Sequence, residues 1–315
     1  MTIKLGVVMD PLASINPRKD STLAMLEAAH GRNWQIYCME QGDLYISNGE
    51  VYAHRHRIQV SVNQNDWFKE LAEDNAPLTD FDLVLLRKDP PFDMEYVYLT
   101  YLLEMAESKG VVIANRPGSV RDCNEKLFAL QFPECCPPHL VSRDPKLLRA
   151  FQEEYGDVIF KPLDGMGGAS IFRVRPGDRN LGVIIETLTA NGTRQTMVQQ
   201  FIPEISRGDT RILLIDGQPV PYGLARIPQT GENRGNLAAG GEGVGRELNA
   251  RDRFICDQVG PVLKEKGLYF AGIDVIGDYL TEINVTCPTC IREINHAFDL
   301  DIAGNYMDFL KDSFC

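Results

Sequence analysis

The stretch from Phe270 to Glu293, FAGIDVIGDYLTEINVTCPTCIRE, decides the fold. Two short apolar runs flank a Gly277-Asp278 turn signal, which is the pattern of a β-hairpin. Side chains alternate across a strand, so Ile273, Val275, Ile283 and Val285 share one face, and Asp274, Glu282 and Asn284 the other. A two-residue loop sets Ile273 opposite Glu282 and mixes the faces. A three-residue loop, Gly277 to Tyr279, pairs Asp274 with Glu282 and keeps them apart. The second register is expected, because a one-residue slip buries a carboxylate.

Two carboxylates facing each other across a strand pair repel unless a cation lies between them. Oxygen donors alone, with an amide carbonyl from Asn284 beside them, suit a hard ion such as Mg²⁺, which keeps waters and takes phosphate oxygens as further ligands. A solvated hairpin face carrying ordinary acids has the same pattern. The segments upstream decide between the two.

The 315-residue chain is long enough for a sizeable core, with 24% charged and 44% hydrophobic residues, as in a globular protein. Its net charge of −12 argues against a general affinity for nucleic acid or anionic membrane. No apolar run approaches a membrane span, and Met1-Thr2-Ile3-Lys4-Leu5 runs straight into a strand without signal-peptide architecture. Eight cysteines in this length do not make a disulfide framework, and a reduced cytoplasm is expected. Cys287-Pro288-Thr289-Cys290 has the spacing of a redox pair or half a zinc site, but no second Cys or His pair completes it.

An apolar strand from Lys4 to Met9, a helix from Ser21 to His30 and a strand from Trp34 to Met39 open the chain as a doubly wound α/β sheet. No GxGxxG follows the first strand, so dinucleotide binding has no support. Asp43 to Val60 is a hairpin turning at Asn48-Gly49, and His54-Arg55-His56-Arg57 on its second arm is expected to be a solvated strand face. A buried strand from Phe81 to Leu86 delivers Arg87-Lys88-Asp89, two cations for a substrate carboxylate or a loop with an internal ion pair. Asn115-Arg116-Pro117-Gly118 then punctuates the chain.

Strand Val158 to Pro162 carries Lys161 and leads into a glycine-rich loop, Asp164 to Ser170, before strand Ile171 to Val174. Successive glycines leave backbone N–H groups free to curl around phosphate oxygens. The loop is not a Walker A sequence. Lying between two strands, it would cover the phosphates as a flap, with Lys161 reaching an α- or β-phosphate. Arg211 and Arg226 fall on neighbouring segments, where a transferring phosphoryl group needs positive charge. Gln229 to Gly245 is glycine-rich and shows no strand or helix period, as expected of a closing lid. With Lys126, these parts describe a nucleotide-triphosphate site without a P-loop.

In order and in local sequence the chain resembles the ATP-grasp family, and within it the branch that joins γ-glutamylcysteine to glycine. The resemblance rests on MDP near the start, RKDPPFD, RDCNEKLF, KPLDGMGGASIFRV, ARIPQ followed by RGNLAAGG, and TEINVTCPTCIREI, and covers essentially the whole chain. It implies an α/β (α+β) fold: an N-terminal doubly wound parallel-sheet domain (1–121), an ATP-grasp lobe with the glycine flap (122–203), and a C-terminal lobe (204–315). That last lobe would carry the metal site and a mobile loop over 227–243. It further implies that Lys126 and Lys161 hold ATP phosphates under Gly165, Gly167 and Gly168. Gln200, Phe201 and Ile202 would take adenine, with Asp209 on the ribose. Asp274, Glu282 and Asn284 would hold Mg²⁺, with Mn²⁺ as the alternative ion, and Arg211 and Arg226 would steady an acyl phosphate. A homotetramer is the assembly it implies. Cys287 stands where such enzymes have serine. The rival readings are another carboxylate–amine ligase of the same fold, such as a D-alanine–D-alanine ligase or a glutamate-adding enzyme, and a nucleotide-binding protein without turnover.

Overall fold

Lys4–Val8 (β1) is apolar on both faces because helices pack on both, and its last four residues are buried. Asp20 caps the helix that follows, Ser21–Gly31 (α1), its carboxylate accepting from the Leu23 N–H at 2.6 Å. The computed structural model describes residues 2–61, 66–232, 234–237 and 240–315. Gln35–Met39 (β2) lies parallel to β1 on one side and Leu83–Leu86 (β6) on the other. Met94–Glu107 (α2) leads to Val112–Ala114 (β7), parallel to β6. The order β2-β1-β6-β7 reverses direction at β1, so Asp10 and Arg87 emerge side by side at a topological switch point. This is the expected doubly wound sheet.

Leu44–Ser47 (β3), Glu50–Val60 (β4) and Phe68–Pro77 (β5) extend it as an antiparallel ribbon. Asn48 and Gly49 both take positive φ at the β3–β4 turn, as expected of that pair. β5 has no signal in the sequence. Solvent lies against most of it, so FKELAEDNAP needs no apolar alternation. Pro117–Asp122 (α3) also escapes sequence reading: Pro117 starts a helix at N1 where punctuation was expected.

The second sheet has the order β10-β9-β11-β8. Its members are His139–Ser142 (β8), Val158–Pro162 (β9), Phe172–Val174 (β10) and Thr196–Gln200 (β11), all antiparallel. Glu125–Ala129 (α4) precedes it, and Pro145–Tyr155 (α5) and Leu181–Thr189 (α6) cover it around Leu148, Phe160 and Ile185.

The third sheet runs β14-β13-β12-β15-β16. Its strands are Asp209–Ile215 (β12), Gln218–Ile227 (β13), Glu242–Glu247 (β14), Phe270–Ile276 (β15) and Tyr279–Asn284 (β16). Ala250–Glu265 (α7), Ile291–Phe298 (α8) and Ile302–Phe314 (α9) complete the chain. The lid expected over 227–243 is shorter than that range. Ile227 pairs with Glu242 and Arg226 with Gly243, so the connection narrows to 228–241, of which 233, 238 and 239 lie outside the described residues.

In the β15–β16 hairpin Asp274 pairs with Glu282, as the alternation requires, but the turn differs. Ile276 pairs with Tyr279, leaving a two-residue Gly277-Asp278 turn, and a β-bulge at Thr281 restores the register. Ile273, Val275, Leu280, Ile283 and Val285 all enter the core. Burial of that apolar set fixes the register, and the bulge accommodates it.

Candidate active site

Where the second and third sheets face each other they line a partly open cavity. Its walls include Lys126, Lys161, Gly165, Gly167, Gly168, Phe201, Ile202, Asp209 and Glu282, so most of the expected nucleotide residues meet in one place. Asn124 caps α4 through its side-chain oxygen and delivers Lys126 to the cavity floor. Lys126 Nζ donates to the Gly165 carbonyl at 2.6 Å, holding the root of the glycine loop.

Lys126 Nζ and Lys161 Nζ converge on Glu282 Oε1, at 3.5 and 3.9 Å. Lys161 Nζ also donates to the carbonyl of Thr281 at 3.4 Å, so the bulge aims a backbone oxygen at the lysine. Burial holds the Lys161 ammonium below its ordinary pKa, opposed by the Glu282 charge. A phosphate chain would supply the negative charge this pair of lysines lacks.

Behind this loose cluster lies a tight one. Arg211 on β12 donates to both oxygens of Asp274, at 2.6 and 3.1 Å. Arg226 on β13 bridges Asp274 Oδ2 at 3.0 Å and Asp209 Oδ2 at 2.6 Å. Cross-strand registers explain the meeting: Arg211 pairs with Asp274 and Asp209 with Arg226. Burial pushes the Asp274 carboxyl up, but the two guanidiniums beside it prevail and hold it well below the carboxylate range. Asp209 goes the other way. Burial, with Asp274 and Glu282 adding to it, pushes its carboxyl up to about 7 against the Arg226 charge. Asp209 Oδ1 is buried with no hydrogen-bond partner, an acceptor on the cavity wall awaiting a donor such as a sugar hydroxyl.

Of the expected metal residues two meet: Asn284 Nδ2 donates to Asp274 Oδ2 at 3.2 Å, with Asp274 already engaged by two arginines, while the Glu282 carboxylate faces Lys126 and Lys161. Turning the Asn284 amide presents its oxygen instead. Two carboxylates and one amide oxygen are a donor set for a hard divalent ion, with Glu282 its half-buried member. The adenine trio is only partly placed as expected. Gln200 does not line the cavity, and the N–H groups of Gln200 and Phe201 are spent on the carbonyls of Pro138 and Asp157, both at 2.9 Å. Ile202 lines the cavity, and Phe201 beside it is held under the Arg173 guanidinium at 3.4 Å.

A family model for the N-terminal domain of prokaryotic glutathione synthetase matches residues 3–121, and one for its ATP-grasp domain matches residues 125–299. The glutathione synthetase of Pseudomonas syringae pv. tomato is 59% identical over 311 residues, which cover 99% of this chain and 98% of that one. The glutathione synthetase of Escherichia coli K12 is 57% identical over 309 residues, 98% of each chain. The chain belongs to the prokaryotic glutathione synthetase family. It is an ATP-dependent ligase of that type, acting on small molecules, and ATP-grasp enzymes use a divalent ion with the nucleotide. Solved structures agree on the fold: the D-cycloserine synthetase DcsG superposes with a TM-score of 0.70 at 14% identity, covering 99% of this chain and 100% of that one. The ATP-grasp ligase PsnB bound to its minimal precursor gives 0.65 at 18% identity, covering 99% of each.

Two residues of the site, Glu125 and Thr281, escaped sequence reasoning. Glu125 faces Thr286, whose hydroxyl donates to it at 2.9 Å, and burial with the neighbouring Glu282 charge pushes its carboxyl up to about 6. Arg87 is buried, donating to the Thr22 hydroxyl at 3.2 Å and the Pro288 carbonyl at 3.0 Å, while Lys88 closes an ion pair with Asp10 at 2.7 Å. Of the two cations expected to hold a substrate carboxylate, Lys88 is thus the internal pair and Arg87 a structural anchor. Thr281 is the second missed residue, and only the bulge reveals it. Cys287 sits 3.9 Å from the Thr22 hydroxyl, and its thiol is pushed well up by burial. Among the described residues neither Cys287 nor Cys290 joins a metal-ligating cluster.

Proposed function

We propose that this chain joins the cysteinyl carboxylate of γ-glutamylcysteine to the amine of glycine, with ATP as the co-substrate, giving glutathione, ADP and phosphate. The observation that carries the reading is the convergence of Lys126, Lys161 and Glu282 beneath a glycine loop, next to an arginine pair fixed by Asp274. A carboxylate does not acylate an amine at neutral pH, because its oxygen is a poor leaving group. Phosphorylation by ATP converts that oxygen into part of a good one, and a bound Mg²⁺ neutralises phosphate charge as it does so.

The chain's own groups do the rest. Lys126 and Lys161 hold the phosphates, and backbone N–H groups at Gly165, Gly167 and Gly168 cover them. Ile202 and Phe201 receive adenine, and the unpartnered Asp209 oxygen a ribose hydroxyl. Asp274, Glu282 and Asn284 hold the ion, Mg²⁺ in preference to Mn²⁺ because Mg²⁺ takes few protein ligands beside phosphate oxygens. Arg211 and Arg226, clamped by Asp274, present positive charge where the acyl phosphate forms. The described residues of the 228–241 connection close over the site and keep water from the activated acyl group. Gly168 supports that contact, since a Cβ there would lie 2.9 Å from Asn236 Oδ1 and 3.0 Å from Arg234 Cδ.

Three units (1–121, 122–203 and 204–315), a homotetrameric assembly and a cytoplasmic setting without nucleic-acid or membrane partners belong to the same proposal and rest on the resemblance. Among the described residues no helix is long and apolar enough to cross a membrane. ADP release measured with γ-glutamylcysteine, glycine and Mg²⁺, omitting one component at a time, tests the reading. Release that persists without γ-glutamylcysteine, or fails with all components present, contradicts it.

A further inference from the structure

The ribbon β4–β5 carries a group that the ligase chemistry does not use. His54 and His56 stand two residues apart on β4 and so share a face, and the register sets Glu73 of β5 directly opposite His56. Their rings lie edge to face with centroids 4.9 Å apart. Glu73 Oε2 reaches both, 3.8 Å from His54 Nε2 and 3.9 Å from His56 Nδ1. The three ligand atoms lie within 4.8 Å of one another. His56 Nδ1 is buried without a hydrogen-bond partner, so a nitrogen lone pair or N–H is held out of water for no bond in return. Arg55, between the two histidines, points to the other face, where it is buried against Tyr37 and Phe81 and paired with Asp74 and Asp80. The expected solvated face therefore splits in two: a buried arginine on one side and a histidine pair on the other.

We propose that His54, His56 and Glu73 bind one divalent d-block ion of the Zn²⁺ class on the outer face of β4–β5. Two imidazoles and a carboxylate are the ligands such an ion prefers over Mg²⁺, which takes oxygen. Bonds of about 2.0–2.2 Å at tetrahedral angles put donor atoms about 3.4 Å apart, so Glu73 would draw in by about half an ångström toward each imidazole and the two imidazoles by up to about 1.4 Å toward each other. Glu73 is exposed and free to do so. None of the three lines the nucleotide cavity, so the site is separate from the one that holds ATP. The ion would pin β5, a strand with few apolar contacts, to β4.

Equilibrium dialysis of the reduced full-length chain against Zn²⁺, with excess Mg²⁺ present, tests this directly. The expected result is one Zn²⁺ per chain, with affinity lowered about tenfold or more in H54Q/H56Q and less in Glu73→Gln. With Co²⁺ as the probe, visible absorption of a four-coordinate site is expected in the parent chain and absent in H54Q/H56Q. Circular dichroism confirms that the variants are folded, and ATP binding is expected to be retained, since none of the three residues lines the nucleotide cavity. Equal Zn²⁺ uptake by the parent and H54Q/H56Q, which would place the ion on cysteines, overturns the proposal, as does no uptake by the parent.

Discussion

The two charge clusters of the site differ in how tightly they are made. Arg211, Arg226, Asp209 and Asp274 are buried and joined by contacts of 2.6–3.1 Å, all on strands of one sheet. Lys126, Lys161 and Glu282 come from different layers and stand 3.5–3.9 Å apart around an open cavity. The first is a finished network that fixes where positive charge lies. The second is an unfinished one, and a triphosphate with its metal would complete it. Rigidity on one side and an open cleft on the other is what phosphoryl transfer asks for: preset charge, and a slot for the donor.

Breaking the tight cluster has the largest expected effect. Arg226→Ala leaves Asp209 and Asp274 buried with one cation between them, which costs about 3–5 kcal/mol of stability. Urea denaturation checks it, and a loss under about 1 kcal/mol would show that Arg226 is not needed to hold the network. The loose cluster is expected to respond in the opposite way. Glu282→Gln lowers ADP release on the order of 100-fold, yet shifts unfolding by no more than about 1 kcal/mol. Near-normal turnover removes Glu282 from the metal site.

Gly168→Ala sharpens the comparison at the flap. Its φ of +80° and the crowding by Asn236 and Arg234 strain any Cβ, by about 1–2 kcal/mol. That corresponds to about a tenfold rise in KM for ATP, with stability little changed, because the flap packs on few apolar side chains. Steady-state kinetics at saturating γ-glutamylcysteine measures it. The smallest effect lies at the junction of the clusters. The folded-state pKa of Glu125 is raised to about 6 from 4.5, so the native state holds its proton more tightly than the unfolded chain does. That contribution is full below pH 4.5 and is lost as pH rises through about 6. Glu125→Gln should therefore flatten the fall in stability across this window, read from Tm against pH.

The strand pairing behind both clusters was legible in the sequence, whereas the ion pairing of Asp274 and Asp209 with Arg211 and Arg226 was not. Alternation along β15 and β16 requires Asp274 opposite Glu282, and neighbouring strands place Arg211 and Arg226 nearby. Period-2 patterning is a strong signal wherever one face is buried. The bulge at Thr281 leaves no trace, since an extra residue in one strand looks the same as a longer loop. β5 was invisible because a strand bathed in water on most of its length has no hydrophobic pattern to show. The buried Arg55 misleads for a related reason: its burial depends on Tyr37, Phe81, Asp74 and Asp80, which are distant in sequence. Glu125 reads as an ordinary first-turn acid, and only the approach of Glu282 and Thr286 makes it unusual.

Transfer of a carboxylate oxygen to phosphate is the step on which both clusters depend, and isotope tracing tests it most directly. With γ-glutamylcysteine labelled by ¹⁸O in its cysteinyl carboxylate, each turnover should deliver one labelled oxygen to inorganic phosphate and leave the other in glutathione. Phosphate free of label while glutathione accumulates would contradict the acyl-phosphate route, and with it the roles of the two clusters.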